Sequence, residues 1–145
     1  MRYRVLAVVV VVLGVALPTA ALAARSAKVS TLKATMRGSR EIDSKGSPAG
    51  TGTAVVTLYR SAGKACWRLS VRGLDKTLSA HVHKASPKKT GPVVIPLGAR
   101  FAKTGCVTGL KPKTIDAIVK NPAGYYVNVH TKRYLNGAIR GQLHR

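Results

Sequence analysis

Three of the chain's four histidines stand in two short segments, Leu78-Ser79-Ala80-His81-Val82-His83 and Tyr126-Val127-Asn128-Val129-His130-Thr131. Neutral imidazoles suit copper and zinc. Side chains alternate across a strand, so in the first segment His81 and His83 share a face with Ser79, while Leu78, Ala80 and Val82 take the other. The same alternation gives Tyr125, Val127 and Val129 one face and Tyr126, Asn128 and His130 the opposite one. The apolar sets belong in a core, which turns the imidazoles away from it. If the two strands are neighbours, His81, His83 and His130 converge and are candidate ligands for a copper or zinc ion. The alternative is three solvated or hydrogen-bonded histidines with structural roles.

The other reactive residues offer less. Cys66 and Cys106 are the only cysteines, an even pair with no Cys-x-x-Cys spacing and no neighbouring histidine, so a disulfide is expected. The only carboxylates are Glu41, Asp43, Asp75 and Asp116. So small a set gives no glycosidase pair and, without a Gly-x-Ser-x-Gly segment, no Ser-His-Asp arrangement. No glycine-rich phosphate loop precedes a helix. Arg140, between Gly137 and Gly141, either presents its guanidinium to an anion or pairs within its own sheet, with Asp75 as the candidate carboxylate. Tyr125, Tyr126 and Tyr134 are candidates for a sugar-stacking surface or, for Tyr125, the core. No enzyme class is favoured.

The elements that position these residues are mostly strands. Val29 to Met36 alternates, with Leu32, Ala34 and Met36 on one side. A Gly-, Ser- and Pro-rich loop from Arg37 to Gly52 follows. Strands are expected from Gly52 to Tyr59 and from Ala65 to Val71, where Trp67, Leu69 and Val71 form the inward face. The first histidine segment is the fourth strand, and Lys84 to Pro92 is a polar loop. Val93 to Leu97 is short, and Pro96 places it at an edge or bulge. Gly105-Cys106-Val107 is a loop or short strand opposite Cys66. One helix is expected over Lys113 to Val119, with Ile115, Ile118 and Val119 on one side and Asn121-Pro122 ending it. The last strands, Tyr125 to Thr131 and Ala138 to Leu143, join at Asn136-Gly137, a strong hairpin signal. The fold class is all-β, an immunoglobulin-like or Greek-key sandwich or barrel of about seven or eight antiparallel strands.

The first 23 residues read as a secretory signal peptide: Arg2 and Arg4, an apolar run from Val5 to Leu17, Pro18, and a cleavage site at Ala21-Leu22-Ala23. The run is short for a membrane span, so no span is expected after cleavage. Residues 24–28 form a basic, disordered leader, and 29–145 the domain. The sequence carries 25 Lys and Arg against four acids, a formal charge of +21. For an exported monomer this points to anionic envelope polymers or polysaccharide, not nucleic acid, unless the basic surface serves solubility alone.

Several motifs in order carry a resemblance: Gly52-Thr53, Gly73-Leu74, Ala80-His81-Val82-His83, Gly91-Pro92-Val93-Val94, Tyr125 through Thr131, and Gly137-Ala138-Ile139-Arg140-Gly141-Gln142-Leu143. Over roughly Thr31 to Leu143 the chain resembles the CHRD domain, named for chordin and found in exported bacterial proteins. It departs at Arg40-Glu41-Ile42-Asp43-Ser44, where that family usually has Glu-Val-Pro, and it adds the cysteine pair. The resemblance implies an immunoglobulin-like barrel and an extracellular setting, with no reaction attached. More distantly, the His-x-His strand with a late-strand histidine is similar to copper-zinc superoxide dismutases. By that motif His81, His83 and His130 would be copper ligands, with only His144 left as a metal-bridging candidate.

Overall fold

The computed structural model describes residues 29–42 and 45–145. The expected signal peptide and leader, and Asp43 and Ser44, lie outside the described residues. Within them the chain forms β1 (Val29–Arg37), β2 (Thr51–Tyr59), β3 (Lys64–Arg72), β4 (Thr77–Lys84), β5 (Val93–Pro96), β6 (Thr104–Val107), helix α1 (Pro112–Lys120), β7 (Tyr125–Thr131) and β8 (Ile139–Gln142). The eight strands form one sheet in the order β5-β4-β7-β8-β1-β2-β3-β6, with every pairing antiparallel. The segment between the two edge strands nearly closes it into a barrel: Leu97 and Phe101 donate backbone N–H bonds to Ala80 and Leu78 of β4, and Leu69 of β3 donates to Lys103.

The core follows from alternation. Leu32, Ala34 and Met36 of β1 meet Val56, Ala54 and Gly52 of β2, which in turn face Trp67, Leu69 and Val71 of β3. Ala80 and Val82 of β4, Val127 and Val129 of β7 and Ile139 of β8 line the other side, all fully buried. Ile115 and Ile118 bring one face of α1 into the same cluster. Pro112 sits in its first turn, where a missing N–H costs nothing. The Trp67 indole lies over Gly105, its β6 pairing partner, where an added Cβ would stand 2.5 Å from the ring. Pro96 falls on edge strand β5, where its missing donor leaves no ladder bond unmade.

Of the two forms expected for Gly105-Cys106-Val107 it takes the short strand, as part of β6 bonded along β3 opposite Cys66. One local expectation is corrected. Leu78 does not join Ala80 and Val82 in the core. It is 37% exposed, because the β4–β7 register shifts between Thr77 and Ser79 and such a bulge re-aims the side chain.

Cys66 and Cys106 are bonded to each other and are direct pairing partners in β3 and β6. The bridge closes a 40-residue separation, worth about 4 kcal/mol on the chain-entropy account. Replacing both with Ala is expected to lower unfolding free energy by about 2–4 kcal/mol, read as a drop in the urea midpoint at constant slope. An unchanged midpoint would mean that hydrogen bonding holds β6 without the bridge.

Candidate metal centre

β7 lies between β4 and β8, and this adjacency decides the site. On the side of the sheet away from the core, Ser79 pairs with His130, His81 with Asn128, and His83 with Tyr126. One strand further, Asn128 pairs with Arg140 and Tyr126 with Gln142. His81, His83 and His130 are therefore brought together, each partly buried, with one ligating atom apiece all within 4.8 Å of one another. The Nδ1 of His81 stands 3.1 Å from the Nε2 of His130. Zn–N bonds of 2.0–2.1 Å place tetrahedral ligand nitrogens roughly 3.4 Å apart.

The tautomers are set by backbone carbonyls, which only accept hydrogen bonds. His83 Nδ1 donates to Gly91 O at 2.9 Å, and His130 Nδ1 donates to Leu135 O at 2.9 Å. Both rings therefore turn Nε2 lone pairs toward the cluster, and the buried Nε2 of His83 has no hydrogen-bond partner. Carbonyls that receive the second ring N–H are the usual support of a ligating histidine. Burial, and then the neighbouring His130 and His83, push the His81 pKa down to about 4. Burial also lowers His83 against the pull of the Gly91 carbonyl, with His130 and the Arg140 charge adding to the shift. These two imidazoles are neutral at pH 7, the form that binds a metal.

The face that carries them is not open to solvent. Tyr126 and Asn128, expected to point outward, are 2% and 3% exposed. Loops cover them. Asn128 Nδ2 donates to both Glu41 oxygens at 3.3 and 3.2 Å. This contact needs Gly137 bare, since a Cβ there would stand 2.5 Å from Glu41 Oε2 and 2.7 Å from Asn128 Nδ2. Tyr126 lies between the His83 ring, stacked at 4.8 Å, and the Arg140 guanidinium, 3.5 Å from its centroid.

Arg140 is 2% exposed, so it is not presented to a bulk anion. Its Nη2 donates to Ser86 O, Lys89 O and Gln142 Oε1. Asp75 instead accepts the Arg133 backbone N–H. His144 stays at the chain end, with its backbone paired to Lys33, and does not join the three-histidine cluster. Tyr125 and Tyr126 are buried, which removes both from a sugar-stacking surface, while Tyr134 is partly exposed. Asn128 and Tyr126 share the histidine face by simple i, i+2 spacing. Glu41, 87 residues away from Asn128, has no local sequence signal.

A family model for the CHRD domain matches residues 32–143. The chain belongs to the CHRD domain family. Its matched span contains all eight strands but the start of β1, both cysteines and the whole histidine face. No curated protein and no solved structure matches this CHRD chain.

The depressed His81 pKa makes the metal-free fold acid-sensitive. The unfolded chain takes up a proton near pH 6.5 that the folded ring refuses until about pH 4. Stability is therefore full above about 6.5 and declines as pH falls toward 4. Solvent screening of a part-exposed ring holds the effect to on the order of 1 kcal/mol, or roughly 4–8 °C in Tm. Melts in EDTA at several pH values test this. His81→Gln should flatten the slope across that window, and an unchanged slope would assign the acid sensitivity elsewhere.

Proposed function

We propose that this protein is an exported, non-enzymatic CHRD-domain binding protein whose ligand is a first-row transition metal ion, copper or zinc, held by His81, His83 and His130. The observation that carries this reading is the convergence of three imidazoles whose ligating atoms lie within 4.8 Å. Two of the three have a backbone carbonyl on their second nitrogen. The donor set is nitrogen alone: among the described residues no carboxylate belongs to the cluster. Imidazole-only sites suit copper and zinc over calcium or magnesium, which require oxygen ligands. The signal-peptide pattern and the disulfide support the exported address.

Isothermal titration of the mature, metal-free protein with Cu(II) or Zn(II) tests the assignment. One ion per chain is expected at micromolar affinity or tighter, weakened at least about tenfold in His83→Ala and unchanged in His144→Ala. Losing even a supporting partner of a metal ligand costs 10–100-fold. Binding weaker than millimolar, or equal in His83→Ala, would refute the metal reading.

A second reading, of where the protein is held, has its own observation. Lys33, Arg37, Arg68 and Arg72 are exposed on one face of β1–β2–β3, in the register rows Lys33–Val55–Arg68 and Arg37–Thr51–Arg72. None of the eight strands carries a carboxylate. Such a face fits an acidic envelope polysaccharide. Retention on an anionic polysaccharide resin should be strong at low ionic strength and lost by about 0.5 M salt, where the Debye length is about 4 Å. Arg68→Ala/Arg72→Ala should elute earlier than wild type. Salt-independent retention would exclude charge as the mechanism.

A further inference from the structure

Beside His83, a cavity of about 300 Å³ is bounded by Glu41, Thr90, Gly91, Tyr126, Asn128 and Asn136. Its walls are mostly polar, and Asn128 is its most telling side chain. The Glu41 carboxylate oxygens accept from Asn128, which requires the amide nitrogen at that end. This fixes the amide orientation, so the other end is the oxygen. Asn128 Oδ1 is buried and has no hydrogen-bond partner, on a residue only 3% exposed. The buried Nε2 of His83 is in the same condition.

A buried unpartnered acceptor is costly, and two residues that bound this cavity carry one each, His83 at Nε2 and Asn128 at Oδ1. Both present lone pairs. A single water can donate one hydrogen to each. With the three imidazoles converging beside His83, a metal ion that carries a water meets the same two groups, the ion at the imidazole nitrogen and the water's O–H toward the amide oxygen. Three protein ligands also leave a four-coordinate ion one position short, which separates open sites from closed structural ones.

We propose that the metal centre is an open site: its fourth position holds an exchangeable water that donates a hydrogen bond to Asn128 Oδ1 and is replaceable, from the cavity, by a small monodentate ligand such as azide or cyanide. This rests on the metal reading of His81, His83 and His130 and adds to it that the ion is accessible to exogenous ligands. Asn128 acts here as a positioning residue for the water and not as a metal ligand. Glu41, beyond it, holds the amide in the required orientation.

The test uses the full mature protein loaded with one equivalent of Cu(II), with unbound copper removed. Solvent-water proton relaxation and the Cu(II) electron paramagnetic resonance spectrum are followed during titration with azide. The expected result is enhanced water relaxation that collapses as azide binds saturably, with a new azide-to-copper charge-transfer band. In Asn128→Leu, copper stoichiometry is retained and azide affinity rises roughly five- to tenfold, the worth of the hydrogen bond lost by the competing water. Asn128→Gln keeps an amide donor for Glu41 and an acceptor for the water without adding charge, so its azide affinity rises less than that of Asn128→Leu. Bound copper with baseline water relaxation and no response to azide would overturn the open site and leave the metal reading standing. Failure of wild type to bind copper would overturn both. Equal azide affinity in wild type and Asn128→Leu would remove Asn128 from the role given to it.

Discussion

Strand β7 is buried on both faces, and the rest of the molecule answers to that. Its inward residues Tyr125, Val127 and Val129 sit in the barrel core, while Tyr126 and Asn128, on the opposite side, are just as inaccessible. A polar group withdrawn from water must find a partner or cost several kcal/mol. Here the partners come from loops. Gly91 O and Leu135 O receive two histidines, Ser86 O and Lys89 O receive Arg140, and Ala85 O and Ala123 O receive Gln142. The second face of β7 therefore organises the loop after β4 and the loop before β8, as the first face organises the core.

The same burial gives the histidine face its chemistry. Stacking between His83, Tyr126 and Arg140 leaves little freedom to the central ring, and carbonyl partners fix the two Nε2 lone pairs. A set of ligands already positioned loses little conformational entropy when an ion arrives. Partial desolvation disfavours protonation of His81 and His83 in competition with a metal. The Arg140 charge acts against a cation at His83, and the Glu41 carboxylate on the far side of Asn128 acts in the opposite sense. An ion at the proposed site would meet one opposing and one favourable charge, with neutral nitrogen as its ligands.

Period-two alternation made the face legible from sequence. Both strands obey it, so the division of His81, His83, Asn128 and His130 from Ala80, Val82, Val127 and Val129 follows from residue order alone. The adjacency of β4 and β7 does not follow from it, since the two strands lie more than 40 positions apart in the chain and are joined across the barrel end. The covering of the outer face was invisible for the same reason. The side chain that closes over Asn128 is Glu41, brought by the loop after β1, and Gly137 makes room for it through an absence of side chain. Leu78 shows the limit of periodicity itself. A one-residue register shift between Thr77 and Ser79 is enough to re-aim an apolar residue outward.

A strongly basic exterior and the proposed cation site are compatible because they occupy different dielectric surroundings. Lys33 and Arg37 on β1 and Arg68 and Arg72 on β3 stand in solvent, two and four strands from β7 in the sheet, with Arg37, the pairing partner of Arg140, the nearest. At physiological ionic strength their fields decay over about 8 Å, so they weigh little on the histidine cluster. Charges packed against the outer face of β7 are screened much less. Arg140 and Glu41, the ionised side chains held beside Tyr126 and Asn128, therefore govern the electrostatics of the site more than the excess of surface lysine and arginine does. The proposed metal would therefore answer to Arg140, Glu41 and the three imidazoles, and the proposed anionic polymer to the exposed cations of β1 and β3.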